Sequence, residues 1–279
     1  MRLLEKRNTY LSLLKTAVKK PSLSYLTELC HAHLTTFPFE NMSKVIQFKK
    51  NGNSPPGLPA LTEFLRSNQM HHTGGTCYTL NSQFAKLLQV LGFQCYLIKL
   101  GNDHMAIIVT IDGDNYYVDC GAAAPFFEPV AFEKNKENVS AFGGEEVRLE
   151  ADKTVPDLYH YVRKRDGIIN HEPWGFYANQ PYSLDDFYEP MRRSFGESAP
   201  FMTILRCQLW QTAKERNVSL LNNTFVIRYV DGTIHTEKLN TVEEIEQIID
   251  KEFGLPKLPV KEAVACLEER DIDIFAEKK

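Results

Sequence analysis

The chain reads as an α+β protein with a helical N-terminal unit, a central antiparallel sheet or barrel, and a mixed C-terminal unit. Three observations predict this. Apolar residues recur at helical spacing through roughly the first 90 residues, the period switches to two after Gly92, and strands alternate with capped helices in the last third. The units are expected at 1–92, 93–190 and 191–279.

Leu11, Leu14 and Val18 form one helical stripe, and Tyr25, Leu26 and Leu29 form another after Pro21. A Gly-, Asn- and Pro-rich loop over 51–59 precedes a third helix carrying Leu61, Phe64 and Leu65. A fourth begins near Cys77, runs through Leu80, Phe84, Leu87, Leu88 and Leu91, and stops at Gly92. Strands are then expected over 95–100, 105–111 and 116–120, with Asp112-Gly113 as a hairpin turn. Further strand-like runs cover 146–149 and 158–163, and Ser183 caps a short helix. The last third shows strands over 204–210, 224–229 and 234–239, then helices over 241–253 and 260–267, the first opened by a Thr241–Glu244 capping box.

The 279 residues are 43% hydrophobic and 24% charged, ordinary globular values that exclude a disordered chain. A net charge of -4 argues against nucleic acid as the main partner. No apolar run reaches the ~18 residues of a membrane span, and charges from Arg2 onward argue against a signal peptide. The six cysteines are scattered with no CxxC pair, which predicts free thiols in a reducing cytoplasm.

One cysteine stands apart. Cys77 follows the pair Gly74-Gly75 where a helix starts, and a thiol there feels unpaired N–H groups and the positive dipole end, which favour thiolate. The hairpin supplies partners. If Asp112 and Gly113 form a two-residue loop, Ile111 pairs with Asp114 and Asp119 opposes Ala106. Side chains alternate faces, so His104 and Asp119 then point to the same side as diagonal neighbours. A thiol, an imidazole to take its proton and a carboxylate to hold the ring make a nucleophilic triad, with the Cys77 N–H as a donor to a developing oxyanion.

Four ordered stretches add a family resemblance. Gly74, Gly75, Cys77 and Asn81 match an Arg-Gly-Gly-x-Cys motif followed by Asn. His104-Met105 matches a histidine opening a strand, Val118-Asp119-Cys120-Gly121 matches Val-Asp-x-Gly, and Phe37-Pro38-Phe39-Glu40-Asn41 ends in Pro-Phe-Glu-Asn. In these the chain resembles the arylamine N-acetyltransferases. The resemblance implies a helical bundle, a β-barrel and an α/β lid. It also implies ping-pong transfer from acetyl-CoA through an acetyl-cysteine to a small arylamine or arylhydrazine, without a metal, by a monomer or homodimer. Cys77, His104 and Asp119 would be catalytic, Phe37 and Ala122 would face the acceptor, and Glu40, Asn41, Gly75 and Asn81 would support the site.

The chain departs from the pattern at Thr73, where the family has the arginine that pairs with its Pro-Phe-Glu-Asn glutamate. His71, His72 or Lys44 are the expected substitutes as partner for Glu40. Thr79 replaces a usual Glu or Gln, and Ala122 stands where the family commonly places Phe, which removes an aryl-stacking ring. On burial grounds Phe37 reads as core, while the resemblance moves it towards the pocket. Two other functions stay open: hydrolysis or transglutaminase-like amide transfer by the same triad, and a retired, ligand-binding relative. His71-His72 suggests no metal site, because adjacent helical side chains diverge and no third ligand is evident.

Overall fold

Five helices build the N-terminal third of the computed structural model, which describes residues 3–169 and 172–276. They are α1 (Leu3–Leu14), α2 (Leu23–Thr36), α3 (Met42–Lys50), α4 (Leu61–His71) and α5 (Cys77–Val90), with a two-residue strand β1 (Phe39–Glu40) before α3. Ser22 caps α2 by accepting the Tyr25 N–H at 3.2 Å. Lys15 turns left-handed at φ 55°, so α1 stops at Leu14. Val18, expected on the α1 stripe, therefore lies beyond the helix and is 51% exposed. The unexpected helix is α3, whose Met42, Val45 and Ile46 at helical spacing are buried in the C-terminal core.

Strands β2 (Gln94–Leu100), β3 (His104–Ile111) and β4 (Asp114–Val118) form one antiparallel sheet. The Asp112-Gly113 turn has positive φ at both residues, 53° and 86°, as a hairpin matched to strand twist requires. It pairs Ile111 with Asp114 and Ile107 with Val118, the register expected from sequence. A second sheet follows from β5 (Ser140–Phe142), β6 (Glu145–Ala151), β7 (Leu158–Arg165), β8 (Ile168–Ile169) and β9 (Trp174–Tyr177), with β8 and β9 both paired to β7. A 3₁₀ turn over Leu184–Phe187, opened by Ser183, leads into α6 (Tyr188–Arg193).

The third sheet has the order β1-β10-β11-β12-β13, from β10 (Arg206–Gln211), β11 (Arg216–Leu221), β12 (Thr224–Tyr229) and β13 (Ile234–Lys238). It ends in α7 (Val242–Ile248), a π-helical turn over Ile249–Phe253, and α8 (Val260–Glu268). The α+β class holds, but the expected barrel does not close among the described strands. No strand ladder joins the first two sheets among the described residues: a 2.8 Å bond from the Gly101 N–H to the Gly175 carbonyl links them, while isolated bridges tie Tyr117 to Val130 and Leu97 to Tyr182, outside the second sheet's strands.

Two apolar cores result. One joins α1, α2, α4 and α5 to the first two sheets, and the other joins α3 to the third sheet, α7 and α8. Strand β1 couples them: Phe39 and Glu40 pair with Gln208 and Cys207 of β10, while the Glu40 N–H bonds the Gly75 carbonyl at 3.0 Å. The glycine turn before Cys77 is thereby tied to the C-terminal sheet.

Candidate active site

The approach to Cys77 requires two glycines for two reasons. A Cβ on Gly74 would stand 2.0 Å from the Pro38 carbonyl oxygen. Gly75 has φ 132°, and a Cβ there would stand 2.8 Å from Thr79 Cβ. The chain then enters α5 at Cys77, and Thr76 makes no side-chain cap bond. The first-turn N–H groups are therefore left without an intrahelical acceptor, at the positive end of the helix dipole. The half-buried Cys77 thiol sits among them.

His104 opens β3 and Asp119 follows β4, so the hairpin sets them side by side with His104 Nε2 2.7 Å from Asp119 Oδ2. Cys77 lies within hydrogen-bonding reach of the same ring. With Nε2 committed to the carboxylate, the thiol faces the Nδ1 side. The three residues form one chain of contacts. Asp119, only 1% exposed, accepts three further bonds: from Asn81 Nδ2 at 2.9 Å, from the Tyr117 hydroxyl at 2.7 Å and from the Gly121 N–H at 2.9 Å. Asn81, one helical turn after Cys77, also accepts the Cys120 N–H at 2.9 Å and so ties α5 to the strand exit.

Electrostatics follow the contacts. Burial would push His104 down, but the Asp119 charge and hydrogen bond, with a smaller contribution from Cys77, lift it to about 10. Burial would raise Asp119, yet His104, Asn81 and Tyr117 hold it below the usual carboxylate range. Trp174 of β9 stacks on His104, with centroids 5.1 Å apart and planes 30° from parallel, and covers the ring from the second sheet.

Gly121 explains the last position of the Val-Asp-x-Gly stretch. A Cβ there would meet Cys77 Cα at 2.7 Å and Asn81 Nδ2 at 2.8 Å, so only glycine lets the strand exit touch the start of α5. The following Ala122 and Ala123 carbonyls accept Arg163 at 3.2 and 3.1 Å, and Gln208 adds a 2.9 Å bond to Ala123. This holds Ala123 left-handed at φ 52°.

Among the described residues no side-chain cation replaces the missing arginine partner of Glu40. Glu40 accepts the Ser43 hydroxyl at 2.5 Å, the Ser43 N–H at 2.9 Å and the Gly74 N–H at 3.2 Å. Its carboxylate sits against the N-terminus of α3, whose dipole supplies the positive field. Burial nevertheless raises its pKa, with these donors opposing. Of the three expected substitutes, Lys44 donates instead to Ser194 Oγ at 2.7 Å, and His72 ends α4 in a left-handed conformation at φ 53° facing the Lys257 N–H. His71 is exposed and no contact joins it to Glu40. Glu40→Gln is expected to lower stability by about 1–3 kcal/mol, because an amide NH₂ must face donors where an oxygen now accepts. Thermal denaturation checks this, and an unchanged Tm would contradict it.

Phe37 is not brought to the thiol. It is 3% exposed in the helical core, edge-on to Tyr10 at 5.5 Å and 4.9 Å from Phe64, so its packing is that of a core residue. Asn41 supports the third sheet, donating to the Phe201 and Ile204 carbonyls at 2.9 and 2.7 Å and accepting the Arg206 N–H at 2.7 Å. Cys120 is buried in the first core. Tyr117 and Trp174 escaped the sequence reading. Tyr117 was within reach, since it lies two residues before Asp119 on the same face of the strand, whereas Trp174 comes from a distant strand with no local signal. No group of three or more His, Cys, Asp or Glu fit to hold a metal occurs among the described residues, and no described helix is long and apolar enough to cross a membrane.

This frame has close relatives of known architecture. A family model described as N-acetyltransferase matches residues 22–262. The arylamine N-acetyltransferase of Salmonella typhimurium aligns with TM-score 0.77 at 16% identity over 95% of this chain and 98% of its own. The Mycobacterium marinum arylamine N-acetyltransferase in complex with CoA aligns with TM-score 0.72 at 19% identity, covering 94% and 97%. An uncharacterized acetyltransferase of Acanthamoeba polyphaga mimivirus is 24% identical over 196 residues, 63% of this chain and 93% of the relative. The protein is thus an acetyltransferase by family. More narrowly, it belongs to the arylamine N-acetyltransferase family.

Proposed function

We propose that the protein moves an acetyl group from acetyl-CoA through a Cys77 thioester to the amine of an arylamine or arylhydrazine. The observation that carries this reading is the chain from a helix-borne thiol through His104 to the fully bonded Asp119. His104 takes the thiol proton, and the sulfur attacks the donor carbonyl. The first-turn N–H groups of α5 stabilise the oxyanion. The carbonyl–sulfur bond to CoA then breaks, and His104 returns the proton to the departing thiolate. In the second half the amine attacks the acetyl-cysteine, His104 accepts the amine proton and passes it to the Cys77 sulfur as it leaves. Asp119 keeps the ring in one tautomer and supports its charged form throughout.

In this reading the units 1–92, 93–190 and 191–279 divide the labour, with the nucleophile on the first, base and acid on the second, and a lid-like cover from the third. Ala122 leaves the acceptor side without the ring the family commonly has there. CoA and a small amine are the partners, no metal enters, and unpaired cysteines suit the cytoplasm.

Intact-protein mass spectrometry after mixing with acetyl-CoA, without acceptor, is expected to find one acetyl group, lost in Cys77→Ala. A Cys77 that iodoacetamide alkylates but acetyl-CoA leaves unmodified would overturn the reading.

A further inference from the structure

Strands β5 to β9 carry none of Cys77, His104 or Asp119, yet one side chain of that second sheet reaches the site. Trp174 opens β9 and lays its indole on the His104 ring, with centroids 5.1 Å apart and planes 30° from parallel. Two neighbours place it there. Tyr161, its cross-strand partner on β7, stacks on it at 5.2 Å and 21°. Gly101, three residues before His104, lies under the indole: a Cβ there would stand 3.5 Å from Trp174 Cδ1. The Gly101 N–H bonds the Gly175 carbonyl at 2.8 Å, so the start of β9 is pinned to the loop that delivers His104.

His104 is 8% exposed, and its Nε2 is committed to Asp119. Hydrogen bonds serve a ring only at its edge, so the faces of a buried imidazolium lose water without gaining a donor or acceptor. An indole face carries negative charge density and attracts a cation, more strongly out of water. A neutral imidazole gains less from the same stack. Trp174 therefore acts in the same direction as Asp119, which follows β4, and Cys77 on α5, the two ionisable groups that act on His104 against its burial. The stack also limits rotation. A ring turning about its Cβ–Cγ bond would drive its edge into the indole, so Nε2 stays on Asp119 and the other nitrogen stays on Cys77.

We propose that Trp174 is a positioning residue for acetyl transfer: its indole face holds the His104 ring between Asp119 and Cys77 and stabilises the charged ring. Its role in turnover rests on the acetyl-transfer reading. No bond to Trp174 forms or breaks, and the thiol proton still goes to His104.

The chain has two tryptophans, so Trp210→Phe leaves Trp174 as the single position for fluorinated tryptophan. Fluorination keeps the shape of the indole and drains charge density from its face. The pH at which His104 loses its proton, followed by NMR of the imidazole ring, is expected to fall stepwise with each added fluorine. Trp174→Leu should lower that pH by about 0.5–1.5 units, a loss of about 3–30-fold in preference for the charged ring. Trp174→Phe should recover at least half of the shift. Turnover should fall by a similar factor in Trp174→Leu, with the KM for acetyl-CoA within about twofold of wild type, and Trp174→Phe should restore it. A His104 titration that fluorination leaves in place would overturn the proposal. So would a Trp174→Leu protein with lowered Tm and unmoved titration, which would reduce Trp174 to packing. If Trp174→Leu does not fold, the fluorinated series decides. Absence of any acetyl-Cys77 would sink the acetyl-transfer reading alone, because the titration needs no substrate and still reads the stack.

Discussion

Asp119→Asn is expected to slow acetyl transfer by about 10⁴-fold while leaving the protein folded. The amide keeps the shape but reverses the demand on His104. Nε2 donates to Asp119 Oδ2 at 2.7 Å, because a carboxylate can only accept, and the other ring nitrogen faces Cys77. An Asn can present its NH₂ to Nε2, which would turn that nitrogen into an acceptor and place the ring proton towards the thiol. The pH profile carries a second readout. His104 is raised in the folded protein from 6.5 to about 10, so the stability it contributes is full below 6.5 and is lost as pH rises towards about 10. Asp119 is lowered, so its contribution is present above its unfolded value and is lost as pH falls through the folded one. Wild-type Tm should therefore decline across the alkaline range relative to Asp119→Asn, whose ring is left with burial opposed only by Cys77. Parallel Tm curves, or a variant within tenfold of wild-type activity, would show that Asp119 does not hold the ring charge.

Gly121→Ala is expected to damage the site through a single added methyl. The new Cβ would lie 2.7 Å from Cys77 Cα, a backbone atom that cannot rotate away. Either the strand exit carrying Asp119 moves or the start of α5 does, and both break the Cys77–His104–Asp119 alignment. Overpacking of this kind costs on the order of 1–3 kcal/mol, and displacement of about 1 Å at a reacting group costs about 10²-fold in rate. Gly57→Ala is the control, because a Cβ there meets nothing within 4 Å. Equal Tm and turnover for the two variants would contradict the close approach.

The geometry of the candidate site was legible because it rests on local rules. Alternation along β3 and β4, with a two-residue turn, puts His104 and Asp119 on one face whatever surrounds them. A helix start after two glycines exposes N–H groups to Cys77 in the same way. Helix α3 carries a period in Met42, Val45 and Ile46 within nine residues that include three lysines. Strand β1 has two residues and no periodicity to read.

Other features depended on partners far along the chain. Barrel closure is decided by which edges pair, and no described strand of the first sheet pairs with one of the second. The Glu40 donors come from Ser43 and from Gly74, which lies beyond α4, so hydroxyl and backbone N–H groups take the place of a replacement cation. Phe37 shows the same limit, since its apolar ring suits a pocket or a core, and Tyr10 and Phe64 decide between them.

Residue types, their order and the short-range periods by themselves determined a thiol at a helix start, with a histidine and an acid sharing one face of a hairpin. Only the tertiary structure decided how Asp119 is bonded, what holds Glu40 and where Lys44 lies. Burial and long-range hydrogen bonding are properties of segments brought together from far apart, so no single window of the chain contains them.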